Sequence, residues 1–224
     1  MSLDKQQYES FHTDNLIPLD ICIDIDLFEK QMDEWSLAFR QWGIKHTHRP
    51  RYGAPLVNLN GSMHNNPEPV CYPLDQWNAV LPEQERIYDP MIQTPTEMLN
   101  LSCFDPLNDL KPYMYRSCIL KWHEGGLFYP HTDTWLPSDI IRLWGTNDPE
   151  NMLLQFDKDR KSCSPPDVTS MDYELVPAQN IQAGRLYIID THVIHDAQAL
   201  GNNVFQFFIA LGNDSMQTLK EHML

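Results

Sequence analysis

Residues 121–133 read KWHEGGLFYPHTD, and residues 183–195 read AGRLYIIDTHVIH. In the first stretch a Gly125–Gly126 turn leads into an aromatic run that ends on His131 and Asp133. An extended chain points residues i and i+2 to the same side. The imidazole of His131 and the carboxylate of Asp133 can therefore grip one metal ion from one strand. In the second stretch Gly184 opens an apolar run that ends at His195, a third ligand brought from a distant strand. Two histidines and one carboxylate fill one triangular face of an octahedron and leave three positions open, the pattern that suits non-haem Fe(II). A short H-x-D recurs by chance, so the weight lies in the order of the pieces and in their placement at strand ends.

The flanking sequence supports strands. From Pro112 onward come YMYRSCILKW, GLFYPHTD, MLLQFD, GRLYIID and NVFQFFIAL, short runs rich in Tyr, Phe, Ile and Leu, separated by Gly, Asn, Asp and Pro clusters. Successive strands without long helical patterns between them predict a β-sandwich or barrel. Upstream, Phe28, Met32, Trp35, Phe39 and Trp42 recur in steps of four and three. This predicts a helix from Asp26 to Trp42 that packs its stripe on a sheet, with Asp26 and Glu29 as a capping box and Gly43 after its end. Residues 1–23 lack clear periodicity. Residues 44–112, rich in Pro, Asn and Asp, read as loops with one or two strands (APLVNL among them) and a short helix near 92–101. The chain thus divides into residues 1–112, a helix and loop region packing on the core, and residues 113–224, the core itself, within one structural domain.

Sixteen basic residues against thirty-one acidic give a net charge of −15 with histidine neutral. That field repels phosphate backbones and anionic membranes, so nucleic-acid and membrane partners are disfavoured. Five dispersed cysteines with no C-x-x-C pair argue against a disulfide framework or a zinc ribbon and for a reducing, cytoplasmic setting. The N-terminal MSLDKQQYESFHTDN lacks an apolar signal core, and no later stretch could span a bilayer. Other histidine pairs carry less: His46 and His48 lie in a Pro/Arg loop, and His192 and His195 would not share a face at a strand end. Nothing in the sequence fixes the oligomeric state.

Taken together, these stretches resemble the Fe(II)/2-oxoglutarate-dependent oxygenases. Trp122, Gly125, His131 and Asp133 fall on the first part of that family's pattern, and Gly184, Leu186 and His195 on the second. The resemblance covers about residues 113–212. It implies a mainly β protein with flanking helices and a double-stranded β-helix (jelly-roll, cupin-like) core. It also implies Fe(II), 2-oxoglutarate and O₂ as reactants, with succinate and CO₂ as by-products. The stretch IIRLWGTNDPENMLLQF after the H-T-D looks like the aspartyl/asparaginyl and free-proline hydroxylase branch, with Arg142 in the place of that branch's arginine. A small molecule or a peptide or protein side chain would then be the substrate. Asp133 keeps a carboxylate where related halogenases leave a ligand position open, which favours hydroxylation. One feature departs from the pattern. The family places an Arg or Lys about ten residues past the distal histidine, to hold the far carboxylate of 2-oxoglutarate, whereas residues 197–212 carry no charge. Arg142 is expected to take that role, then Arg116, with Trp122 and Gln206 as further co-substrate contacts; Gln206 should face inward with Val204 and Phe208. The competing class is a cupin-like metal-binding protein or a non-redox metalloenzyme on the same barrel.

Overall fold

The computed structural model describes residues 15–41, 51–63, 78–79, 81–133, 140–162 and 171–224. The expectations for the residues before Asn15, for Trp42, Gly43, His46, His48, Cys71 and Cys163 lie outside these. Strands β1 (Leu16–Cys22), β2 (Arg40–Gln41), β3 (Arg51–Asn58) and β4 (Thr94–Pro95) precede eight further strands. These are β5 (Ser117–Trp122), β6 (Leu127–His131), β7 (Ile140–Thr146), β8 (Met152–Asp157), β9 (Leu175–Pro177), β10 (Arg185–Ile189), β11 (His195–Ala199) and β12 (Val204–Gly212). Two helices are described, α1 (Ile25–Glu34) and α2 (Met216–Glu221), with several single turns of 3₁₀ helix between β3 and β5.

Strands β5 to β12 pass back and forth between two antiparallel sheets, with the consecutive pair β8 and β9 together in the smaller one. The larger sheet runs β1-β10-β7-β12-β5-β3-β2 with β4 paired to β3, and the smaller runs β6-β11-β8-β9. This interleaving, β10-β7-β12-β5 facing β6-β11-β8-β9, is a double-stranded β-helix, as expected. The N-terminal part extends the larger sheet on both edges through β1 and β3, beyond the packing role expected of it.

The layers follow from strand alternation. Strand β12 is covered on both faces, with Phe205, Phe207, Ile209 and Leu211 on one side and Val204, Gln206 and Phe208 on the other. The first face packs under α1, where Phe28 meets Phe104, Phe205 and Phe207 edge to face at centroid separations of 6.0, 5.2 and 5.0 Å. The second face looks into the barrel with Trp122, Trp144, Leu154, Phe156 and Tyr187. Helix α1 is shorter than the sequence predicted. Asp24 caps it, its Oδ1 accepting from the Leu27 N–H at 3.0 Å, in place of an Asp26 box. After Glu34 the chain tightens into a 3₁₀ turn and then extends at Phe39. Trp35 and Phe39 still reach the core cluster, so the apolar stripe packs as expected although the α-helix has ended.

Candidate metal centre

In the smaller sheet, His195 at the start of β11 lies opposite His131 at the end of β6, and opposite Phe156 of β8 on its other side. The two imidazole rings are 4.4 Å apart, centroid to centroid. Asp133 is two residues past His131, and its carboxylate stands 3.8 Å from His131 Nε2. The Asp133 N–H donates to the Thr191 carbonyl at 2.8 Å, which ties the H-T-D segment to the chain leading into His195. The fold thus brings the three expected ligands to one end of the barrel.

Each imidazole is oriented by its own strand. His131 Nδ1 donates to the Tyr129 carbonyl at 2.6 Å, and His195 Nδ1 donates to the Val193 carbonyl at 2.9 Å. A carbonyl can only accept, so in both rings Nδ1 carries a proton and Nε2 is the nitrogen left to bind. This backbone anchoring of the second nitrogen is the usual arrangement behind a histidine metal ligand. Burial, reinforced by the neighbouring His131, lowers the His195 pKa to about 4. His195 is therefore a neutral donor at ordinary pH. Asp133 is almost wholly buried, whereas 38% of the His131 side chain remains exposed and opens the site to solvent. Among the described residues, no group of three or more His, Cys, Asp or Glu side chains is closed tightly enough to hold a metal ion as it stands. The three residues are neighbours with suitable donor atoms. The donor set, two imidazole nitrogens and one carboxylate, fits a first-row divalent ion such as Fe(II).

A row of unsatisfied polar atoms lines the barrel wall. Gln206 is buried and faces inward with Val204 and Phe208, as expected. Among the described residues its Oε1 has no hydrogen-bond partner, nor have the indole N–H groups of Trp122 and Trp144. Arg142 of β7 is buried, and its guanidinium lies 4.9 Å from the Phe208 ring. Its Nη2 donates to Asp89 Oδ2 at 2.8 Å, while Nε and Nη1 have no partner among the described residues. Asp89 sits in a 3₁₀ turn, Asp89–Met91, and the sequence reading missed it because only the tertiary fold brings it to Arg142. Arg116 is half-buried just before β5, outside the row.

No protein-family model matches the chain, and no curated protein matches it in sequence. Among solved structures it is similar to SnoN, a non-heme alpha ketoglutarate dependent epimerase from nogalamycin biosynthesis. The identity is 10%, the TM-score 0.48, and 93% of this chain and 80% of that one are covered. The carbocyclase SnoK of the same biosynthesis gives 12% identity and a TM-score of 0.46 over 94% of this chain and 84% of that one. An oxidoreductase of the 2OG-Fe(II) oxygenase family from Burkholderia pseudomallei gives 11% and 0.39, over 81% and 76%. These likenesses are remote, and the fold assignment rests on the strand order itself.

Proposed function

We propose that the protein is a non-haem Fe(II)- and 2-oxoglutarate-dependent dioxygenase that hydroxylates an amino acid or a peptide or protein side chain. His131, Asp133 and His195 would hold the iron, and Arg142 would pair with a carboxylate of 2-oxoglutarate, Trp122 and Gln206 lying along the same wall. The single observation carrying the reading is the juxtaposition of the H-x-D strand end with His195, each imidazole holding its Nδ1 on a backbone carbonyl so that Nε2 is left for a ligand. The unsatisfied wall supports it. Each buried donor without a partner costs about 1–3 kcal/mol, so four donor atoms and one acceptor favour an oxygen-rich ligand.

Bound iron with 2-oxoglutarate and O₂ supplies the oxidising power. The chain's own part is to orient and exclude. The Tyr129 and Val193 carbonyls fix both imidazoles, Arg142 supplies charge-assisted hydrogen bonds, and Phe156 and Phe208 keep the interior apolar.

The test is anaerobic loading with Fe(II) followed by O₂, with 2-oxoglutarate consumed and succinate released without added substrate. Turnover that requires Fe(II) and disappears in His195→Ala supports the enzyme. Tight metal binding with no succinate under any condition favours the metal-binding or non-redox alternative, which the partner carboxylate of Asp89 on Arg142 keeps in play. Arg142→Ala should raise the 2-oxoglutarate requirement roughly ten- to a hundredfold, since a hydrogen bond to a charged group is worth about 1.5–3 kcal/mol.

A further inference from the structure

Strand register fixes where Arg142 stands. Along β7 its side chain points to the same side as Trp144 and away from Ile141 and Leu143, so it enters the barrel. Strands β10 and β7 pair Tyr187 with Trp144 and Ile188 with Leu143, and one step further along lie Ile189 and Arg142. Two residues beyond Ile189, the Thr191 carbonyl accepts the Asp133 N–H at 2.8 Å. Arg142 therefore belongs to the metal end. Arg51, also buried, belongs to the opposite end, where it pairs in register with Trp122 and packs on the Phe128 ring.

Asp89 reaches Arg142 from outside the barrel. Its 3₁₀ turn lies at the surface, with Tyr88 and Met91 50% and 57% exposed, yet Asp89 itself is only 5% exposed. The turn thus sends one carboxylate inward. Oδ2 of that carboxylate accepts from Arg142 Nη2 at 2.8 Å. Among the described residues nothing donates to Asp89 Oδ1, and Arg142 Nε and Nη1 have no acceptor. The ion pair is half-satisfied on both members, offering donors to an anion and an acceptor to a cation. Charge balance separates the two. A carboxylate brought to Arg142 places two negative charges around one positive in a buried setting, and a net charge of −15 gives no relief. A protonated amine on Asp89 Oδ1 would restore balance through a charge-assisted hydrogen bond, and 2-oxoglutarate carries no such group.

We propose that Asp89 receives a protonated amino group of the substrate, which makes the substrate a compound with a free amine, such as an unblocked amino acid, and not its acylated form. This deepens the reading above and rests on it. Arg142 keeps the 2-oxoglutarate carboxylate, and Asp89, held on Arg142, sets the substrate's amine beside the co-substrate at the metal end.

The experiment measures binding by calorimetry on protein loaded with Mn(II). The probes are 2-oxoglutarate and then, with 2-oxoglutarate bound, the common amino acids and their Nα-acetyl forms. In wild type at least one free amino acid should bind roughly tenfold or more tighter than its acetyl form, the worth of one charge-assisted hydrogen bond. Asp89→Asn keeps an oxygen for Arg142 and removes the negative charge. It should erase the amine preference and yet bind 2-oxoglutarate as tightly as wild type or tighter, because a like charge beside that ligand is gone. Asp89→Glu should keep part of the preference. Thermal unfolding of the metal-free variants checks that each is folded. If Asp89→Asn is not, the double variant with Arg142→Gln serves, and there too the preference should vanish. Retention of the preference by Nα-acetyl-lysine assigns the amine to the side chain and supports the proposal equally. A preference that survives in the folded variant overturns the assignment, as does a wild type that binds free and acetylated forms alike or binds neither. Weakening of both 2-oxoglutarate and amino acid in folded Asp89→Asn makes Asp89 structural and overturns it too. Each of these leaves the iron and 2-oxoglutarate reading intact. Wild type that binds metal but not 2-oxoglutarate overturns that earlier reading, and this assignment falls with it.

Discussion

Replacing Asp89 by alanine should cost far more than an acid in a 3₁₀ turn would normally cost. The carboxylate is 2.8 Å from Arg142 Nη2, with only 5% of the Asp89 side chain and 4% of the Arg142 side chain exposed. At that separation, and an effective dielectric near 20, the gross attraction is about 6 kcal/mol. Desolvation of two ions offsets most of it, so the intact pair contributes little net stability. Removing one partner is different. Among the described residues Arg142 Nε and Nη1 already lack partners, and Asp89→Ala would strand the third nitrogen and leave a lone buried charge. The expected loss is about 3–5 kcal/mol, or roughly 6–20 °C in Tm for a chain of this size. Urea unfolding of the metal-free protein is the assay, run on Asp89→Ala, Arg142→Met and the double variant. The double variant should recover most of the loss, because no unpaired charge remains. Additive losses in the double variant would refute the coupling.

The remaining predictions concern the metal end and one turn. His131→Ala, Asp133→Ala and His195→Ala should each abolish stoichiometric Fe(II) or Mn(II) binding in a calorimetric titration without unfolding the barrel; unchanged affinity in any one removes that residue from the site. Protonation should pull metal-free stability in two directions. His195, depressed to about 4 by burial, stabilises above its ordinary pKa near 6.5, and that contribution is lost as pH falls toward 4. Asp196, raised to about 6 by burial, acts oppositely: its stabilising contribution is whole below about 3.8 and is lost as pH rises through 6. Wild-type stability should thus vary little between pH 4 and 6, whereas Asp196→Asn should become steadily more stable over that range; a flat profile in Asp196→Asn would contradict the His195 shift. Gly184 has φ of +75°, and an added Cβ would strike the Ile23 carbonyl, so Gly184→Ala should cost about 2 kcal/mol or more in denaturant unfolding.

The sequence exposed the barrel because most of its strands carry their own signature of aromatic and branched residues. Of the strands that escaped notice (β1, β2, β4, β7, β9 and β11), two did so for opposite reasons. Strand β1, LIPLDIC, holds a proline and no clean alternation, and it gains strand form by pairing with β10. Strand β11, HDAQA, is polar along most of its length, yet its residues are largely buried between β6 and β8. Its neighbours override its local preference. The proximity of the three candidate ligands was legible because strand spacing alone places His131 and Asp133 together and marks His195 as a strand end. Arg51 and Asp89 were not. One opens a strand in a stretch that reads as loop, the other sits in a single 3₁₀ turn. Each gains meaning only from a partner far along the chain, Trp122 and Arg142.

The two carbonyl anchors behind His131 and His195 carry an evolutionary consequence. In each case the acceptor is two residues upstream of the ring it fixes. Imidazole aim is thus encoded within two residues of each ring, in the pleat of β6 and the last residues before β11, independent of the rest of the segments joining the strands. Insertions, deletions or wholesale replacement of the connections at the barrel mouth can remodel what enters the site while the donor atoms keep their bearing. Such a scaffold can drift to new substrates without having to reinvent its chemistry.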